Sequence, residues 1–269
     1  MTGNGGVKGM GGVTGSGMTG SGVTRGAVRW AYAFIDRPES GFEQACAFWT
    51  AVTATELSAP RGERDEFVTL LPERGDGWVK AQAVDAGGGG AHLDFSVEDV
   101  PAFVDRAVGL GAEVVAPPTG WAVLRSPAGL PFCAVRWHGE SVRPPVVDGC
   151  RLDQVCLDIA PDAFEAEVMF WAALTGWESY AGSLPEFHVL RPPAGLPLRI
   201  LMQRLDTPAP ASAHLDLACA DRRTTRVRHE RLGATFVADH PHWTVMRDPA
   251  GGTYCLTARD PESGGLPVV

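Results

Sequence analysis

One nine-residue stretch occurs twice in this chain with little change: "AHLDFSVED" at Ala91–Asp99 and "AHLDLACAD" at Ala213–Asp221. Sliding the sequence against itself by 122 residues aligns Ala91–Arg136 with Ala213–Ala258 without a gap, and 18 of the 46 positions are identical. Ordinary composition gives roughly one match in fifteen, so the likeness is a duplication. The shared positions include His92/His214, Asp94/Asp216, "LGA" from Leu110 and Leu232, Trp121/Trp243, Arg125/Arg247, "PAG" from Pro127 and Pro249, and Cys133/Cys255. The same offset pairs Phe48–Trp49 with Phe170–Trp171 and Asp36 with Asp158. A two-residue slip enters before Phe67 and Phe187 and is undone by His92. The chain therefore divides into two homologous domains, 28–138 and 151–260, and residues 139–150 join them. That joint holds the Pro144–Pro145 pair expected of an exposed linker.

Each domain divides again. In the first, a strand at Ala91–Val97 leads into a helix from Val100. Val100, Phe103, Val104, Ala107, Val108 and Leu110 keep a helical rhythm there, and Gly111 follows as a stop. Short strands follow at Ala112–Ala116, Trp121–Ser126 and Pro131–Trp137, the last two joined by a Pro-Gly turn, "SPAGLP". The earlier half reads alike: strand Trp30–Asp36, helix Phe42–Val52 with Phe42, Cys46, Trp49 and Val52 on one face, then strands Phe67–Pro72 and Trp78–Val84. Domain two repeats this with Asp153–Ile159, Phe164–Leu174, Phe187–Pro192 and Leu198–Leu205. Strands in runs with single helices between them predict an α+β fold of four βαβββ modules.

Composition narrows the function. At 269 residues and 45% hydrophobic content there is ample material for two cores. A net charge of -9 argues against a nucleic-acid surface or a polybasic membrane patch. No apolar run reaches membrane-spanning length and no apolar leader opens the chain, so the cytoplasm is the expected location. The six cysteines (Cys46, Cys133, Cys150, Cys156, Cys219, Cys255) form no CxxC pair and no disulfide framework, which predicts free and mostly buried thiols. Residues 1–26 hold 11 glycines and are expected to be disordered, with Met10 and Met18 as alternative starts; 261–269 reads as a tail.

Paired βαβββ modules, a helix ending in "FW", then "HLDL", "LGA" and "WTVMRDPAGGTYCL" resemble the glyoxalase/bleomycin-resistance/ring-cleaving dioxygenase superfamily, the vicinal oxygen chelate (VOC) group. The resemblance runs from residue 28 to 260 and is nearest to the glyoxalase-like domains common in actinobacteria. It implies two tandem domains, each a cupped, incomplete barrel. It also implies a divalent metal held by one ligand from the first strand of each module and one from the closing strand. Carried over by position, the second-module ligand falls on His92 and His214, and the first-strand ligand on Tyr32 and Gln154. The closing-strand ligand falls near Cys133 and Cys255, while Gln82 and Gln203 end the first modules. No carboxylate occupies these positions, so no cofactor is firmly expected; Gln154, His214 and Cys255 are the candidate set for a soft ion such as zinc.

Without a metal, His92 and His214 are expected to hydrogen-bond a neighbour such as Gln82 or Gln203 and stay neutral. Asp94 and Asp216 share their strand face by period two and can orient them, or pair with them as acid and base. Trp121 and Trp243 begin strands and serve as groove wall or core. Arg125 and Arg247 brace the turn or meet an anion at the groove mouth. His229 and the His240–His242 pair read as solvated. The expected function is binding of a small, partly aromatic molecule, for sequestration or a tailoring step. Two alternatives stand beside it: a metal-dependent lyase or dioxygenase using domain two, or a scaffold whose grooves are filled. The expected assembly is a monomer with internally paired domains or a homodimer.

Overall fold

The computed structural model describes residues 1–2, 26–85, 89–116 and 120–266. Residues 3–25 of the glycine-rich tail and 267–269 of the C-terminal tail lie outside these. Domain one runs β1 (Val28–Pro38), α1 (Glu39–Thr53), β2 (Thr55–Leu57), β3 (Phe67–Pro72), β4 (Val79–Val84), β5 (Gly90–Val97), α2 (Val100–Gly109), β6 (Glu113–Ala116), β7 (Trp121–Arg125) and β8 (Pro131–Arg136). Domain two runs β9 (Cys150–Ile159), α3 (Phe164–Thr175), β10 (Glu178–Ala181), β11 (Phe187–Arg191), β12 (Arg199–Arg204), β13 (Ser212–Cys219), α4 (Arg222–Arg231), β14 (Thr235–Asp239), β15 (Trp243–Arg247) and β16 (Thr253–Thr257). Strand and helix follow the α+β order that the sequence predicts.

Each domain is one eight-stranded sheet, in the order β2-β3-β4-β1-β5-β8-β7-β6 and β10-β11-β12-β9-β13-β16-β15-β14. The first strands of the two modules pair antiparallel at the centre (β1 with β5, β9 with β13). Each also pairs in parallel with the last strand of a module (β4, β8, β12, β16). The sheets stay open and curl into cups.

Local chemistry sets the helix ends. Asp99 caps α2 by accepting from Ala102 N at 3.0 Å, and Asp221 caps α4 by accepting from Arg223 N and Thr224 N at 2.9 and 3.1 Å. α1 ends at Ala54 in a left-handed conformation (φ 48°), and α3 ends at the repeat-equivalent Gly176 (φ 66°). The glycine takes that conformation without steric cost; the alanine does not.

The convex faces are closed by exchange between the domains. Trp49 of α1 packs its ring against Tyr254 of β16, with centroids 5.2 Å apart. Trp171 of α3 packs against Phe132 of β8 at 5.0 Å. Asp248, which precedes Pro249 in the β15–β16 turn, is 3% exposed. It binds Ala250 N and Gly252 N within its own turn, at 3.0 and 2.9 Å. Its other oxygen accepts from Arg37 Nη2 at 2.6 Å and from Trp49 Nε1 at 3.0 Å, both in domain one. On the other side of the seam Glu167 accepts from Trp171 Nε1 and Ala128 N, each at 2.7 Å.

His229 corrects an expectation. The sequence reads it as solvated because α4, "RRTTRVRHER", is polar almost throughout. Thr225 and His229, four apart, nevertheless form the buried face. His229 is wholly enclosed and pairs with the Tyr254 hydroxyl at 2.9 Å; burial and then Arg228 push its pKa down to about 4. Arg125 and Arg247 are exposed. Residues 261–266 fold back onto domain two, where Arg151 donates to the Glu262 carbonyl at 2.8 Å and Arg199 to the Gly264 carbonyl at 3.1 Å.

Candidate functional site

Strand register builds the concave face of each cup. In domain one Phe34 lies opposite His92, Tyr32 opposite Asp94, and Asp36 opposite Gly90. β4 adds Lys80 beside Phe34 and Gln82 beside Asp36, and β8 adds Cys133 beside Asp94. Domain two repeats the pattern with Cys156 opposite His214 and Gln154 opposite Asp216. There Leu201 lies beside Cys156, Gln203 beside Asp158, and Cys255 beside Asp216. Five positions are therefore common to both cups: Asp36/Asp158, Gln82/Gln203, His92/His214, Asp94/Asp216 and Cys133/Cys255. Three differ: Tyr32/Gln154, Phe34/Cys156 and Lys80/Leu201.

Each histidine is clasped by two carboxylates. His92 Nδ1 stands 2.7 Å from Asp36 Oδ2 and its Nε2 stands 3.6 Å from Asp94 Oδ1. In domain two the corresponding distances are 2.9 Å to Asp158 and 3.4 Å to Asp216. Aspartates, and not the expected glutamines, are therefore the hydrogen-bond partners of both histidines. Asp36 and Asp158 were legible only as repeated residues, because the partner histidine lies 56 positions along the chain. The ligand positions themselves hold no carboxylate, but cross-strand register sets Asp216 between Gln154 and Cys255, and Asp94 between Tyr32 and Cys133.

Electrostatics follow. Burial pulls the proton affinity of His92 down, but the Asp36 charge and hydrogen bond outweigh it and the pKa ends raised. His214 is raised further, burial again being outweighed, here by Cys156 and Asp158. Burial pushes the Cys133, Cys156 and Cys255 thiols up. Burial likewise raises Asp216. Lys80 Nζ lies 3.6 Å from Asp94 Oδ2 and 3.7 Å above the Tyr32 ring. The Tyr32 hydroxyl donates to Glu140 Oε1 at 2.6 Å, so Tyr32 lies beneath Lys80 and is not part of the cavity wall.

The cups differ in space. Domain one holds an open cavity of about 930 Å³, walled by Phe34, Phe67 and Trp121 and floored by Asp36, Lys80, Gln82, His92, Asp94 and Cys133. Phe34 stacks on His92 at 4.4 Å, and Trp121 is 46% exposed at the rim. Domain two holds about 110 Å³. There Leu184 and Leu266 join the lining, and Trp243 meets Phe187 edge-on at 5.7 Å. Beneath it Arg259 grips Asp153 through two bonds of 2.7 and 2.6 Å. Arg199 beside them is lowered to about 10 by burial and then by Arg259.

The metal that the fold implies meets different reception in the two cups. His92, Asp94 and Cys133 have donor atoms within 4.8 Å of one another. The Lys80 ammonium already neutralises Asp94, and a divalent ion beside it would be repelled; this set does not fit one. In domain two the donor atoms of Cys156, His214 and Asp216 also lie within 4.8 Å, and no lysine intrudes. Gln154 Oε1 and Asp216 Oδ1 are buried without a partner, and Cys255 adjoins them. Imidazole, thiol, amide and carboxylate together fit zinc better than a hard ion.

The pH dependence has a definite sign. A histidine raised in the folded state contributes stability in full below its ordinary value near 6.5, and that contribution fades as pH climbs through the raised folded value. The melting temperature is therefore expected to fall as pH rises above about 6.5. Replacing Asp36 and Asp158 by Asn should flatten that slope. Thermal melts across the range check it, and an unaltered slope in the double variant contradicts the assignment.

With this geometry established, comparison with known proteins is direct. The model of the glyoxalase-like domain matches residues 33–135 and again 154–257. The fold is similar to that of a Mn(II)-bound glyoxalase from Novosphingobium aromaticivorans, with a TM-score of 0.61 and 17% identity over 90% of this chain and 89% of that one. It is also similar to a variant of 4-hydroxymandelate synthase from Streptomyces coelicolor, with a TM-score of 0.56 and 16% identity over 86% and 92% of the two chains. For 2,2',3-trihydroxybiphenyl 1,2-dioxygenase from Sphingomonas wittichii the TM-score is 0.57, with 12% identity over 86% and 90%. No curated protein matches the sequence. The chain belongs to the glyoxalase-like domain family and carries that domain twice in tandem.

Proposed function

We propose that the cup of domain one binds a small planar molecule whose edge carries hydroxyl or amino groups, and that it does so without a catalytic metal. The observation behind this reading is the open cavity floored by Asp36 and Asp94, each of which also carries a buried oxygen, Oδ1, with no hydrogen-bond partner. A buried acceptor left unpaired costs about 1–3 kcal/mol, which a ligand donor offsets. Phe34, Phe67 and Trp121 supply flat apolar walls, and ligand sites generally combine such walls with a few convergent polar groups. His92 lies on the cavity floor with Nδ1 against Asp36, and its Nε2, 3.6 Å from Asp94, faces the same polar cluster. Sequestration and a tailoring step both use this seat; in the second, His92 and Asp36 act as acid and base.

Catechol is a suitable first probe, titrated in the presence of chelator and followed by tryptophan emission. Quenching should saturate, Trp121→Phe should lose most of it, and Asp94→Asn should weaken binding about tenfold, the worth of one hydrogen bond. Quenching that survives Trp121→Phe unchanged, or that requires added metal, contradicts the reading.

The orphaned Gln154 and Asp216 oxygens favour a second reading for domain two, a metal-dependent lyase or dioxygenase. Gln154, His214, Asp216 and the thiols of Cys156 and Cys255 would hold the ion, and an ion so held polarises a substrate oxygen as a Lewis acid. Protein dialysed against zinc, nickel or manganese and then freed of excess should retain metal, and His214→Ala should lose it. Equal metal content in the two proteins removes this reading and leaves domain two as a packed scaffold.

A further inference from the structure

Cys150 opens β9 and Cys219 closes β13, and the two are direct cross-strand partners. One residue outside them Ala220 N donates to the Gly149 carbonyl at 2.9 Å. The cysteines therefore occupy a non-hydrogen-bonded position, where facing Cα atoms approach to about 4.5 Å. That falls within the separation of roughly 4.4–6.8 Å that a disulfide requires. The two Sγ atoms are 3.3 Å apart, and each residue is 3% exposed.

The surroundings give one of the sulfurs an approach. Cys150 borders a crevice of about 10 Å³ shared with Val52, Thr53, Pro145 and Val147, room for about one water. Arg228 stands over this junction, bound to Asp148 at 2.6 Å and to the Val52 carbonyl at 3.2 Å. The hydrogen bond with Cys219 and burial keep Cys150 a thiol, and the Arg228 charge works in the opposite direction.

We propose that Cys150 and Cys219 form a redox-convertible dithiol that closes to a cross-strand disulfide when it meets hydrogen peroxide. The Cys150 sulfur attacks one peroxide oxygen, the O–O bond breaks, and the departing hydroxide takes up the thiol proton to leave as water. Cys219 then attacks the resulting sulfenic sulfur, the S–S bond forms, the S–O bond breaks, and the Cys219 proton leaves with the hydroxyl as a second water. Two thiols are oxidised and one peroxide is reduced. The link joins positions 69 residues apart, where the chain enters domain two, and restrains the unfolded chain over that span.

Intact protein exposed to hydrogen peroxide under native conditions, then alkylated in denaturant and digested without reductant, tests this. Titratable thiols should fall from six to four, with one linked peptide joining Cys150 to Cys219 within a monomer, reversed by dithiothreitol. The oxidised form should melt at a higher temperature. Cys150→Ser should keep all five remaining thiols, whereas Cys219→Ser should lose one, held as a sulfenic acid on Cys150 that dimedone traps, and the wild-type peptide map decides the matter if either variant fails to fold. Six surviving thiols, a different linkage, or conversion to sulfinic acid overturns the proposal.

Discussion

The contact on which the structure most depends is the buried meeting of Arg37 and Trp49 with Asp248 across the domain seam. A sheet curled into a cup leaves its concave face open, so its apolar convex face must be covered by something else. Each domain covers part of its own convex face, as where Phe103 of α2 meets Phe95 of β5. The remainder is covered by the first helix of the other domain, through Trp49 on one side and Trp171 on the other. Two carboxylates hold these indoles by their N–H groups, Asp248 and Glu167. A buried charge of this kind is tolerable only while paired, so the seam is specific as well as apolar.

Duplication then allowed the cups to diverge on a common frame. Both keep an aspartate–histidine–aspartate line with a glutamine and a cysteine beside it. Domain one replaces Gln154, Cys156 and Leu201 by Tyr32, Phe34 and Lys80, which brings an internal cation and an aromatic wall. Domain two keeps softer donors but lets Leu184 and Leu266 into its lining and retains little space. One ancestral site has thus become an open polar seat and a nearly filled one, a difference that fold alone does not reveal.

Much of the fold was legible because period-two strands, 3.6-period helices and Pro-Gly turns are local signals. Repetition at a fixed offset brought His92, Asp94 and Cys133 forward as a group, and the family resemblance added Gln82. What stayed hidden depends on contacts distant in sequence. Asp36 needs the β1–β5 register to reach His92. Tyr32 looks like a cavity residue until Lys80 is seen above it. His229 looks solvated until α4 is packed against Tyr254. Cavity volume, which separates the two domains most sharply, is set by loops and by the returning C-terminal residues and leaves no pattern in the strands.

The interlocked seam predicts that neither domain unfolds independently, and scanning calorimetry of the intact protein and its Asp248→Ala variant tests that most directly. The wild type should unfold in one cooperative transition. The variant leaves Arg37 buried without its partner, at a cost of about 3–5 kcal/mol, and should melt lower with the two domains beginning to separate. Two resolved transitions in the wild type, or an unchanged melt in the variant, would contradict the account.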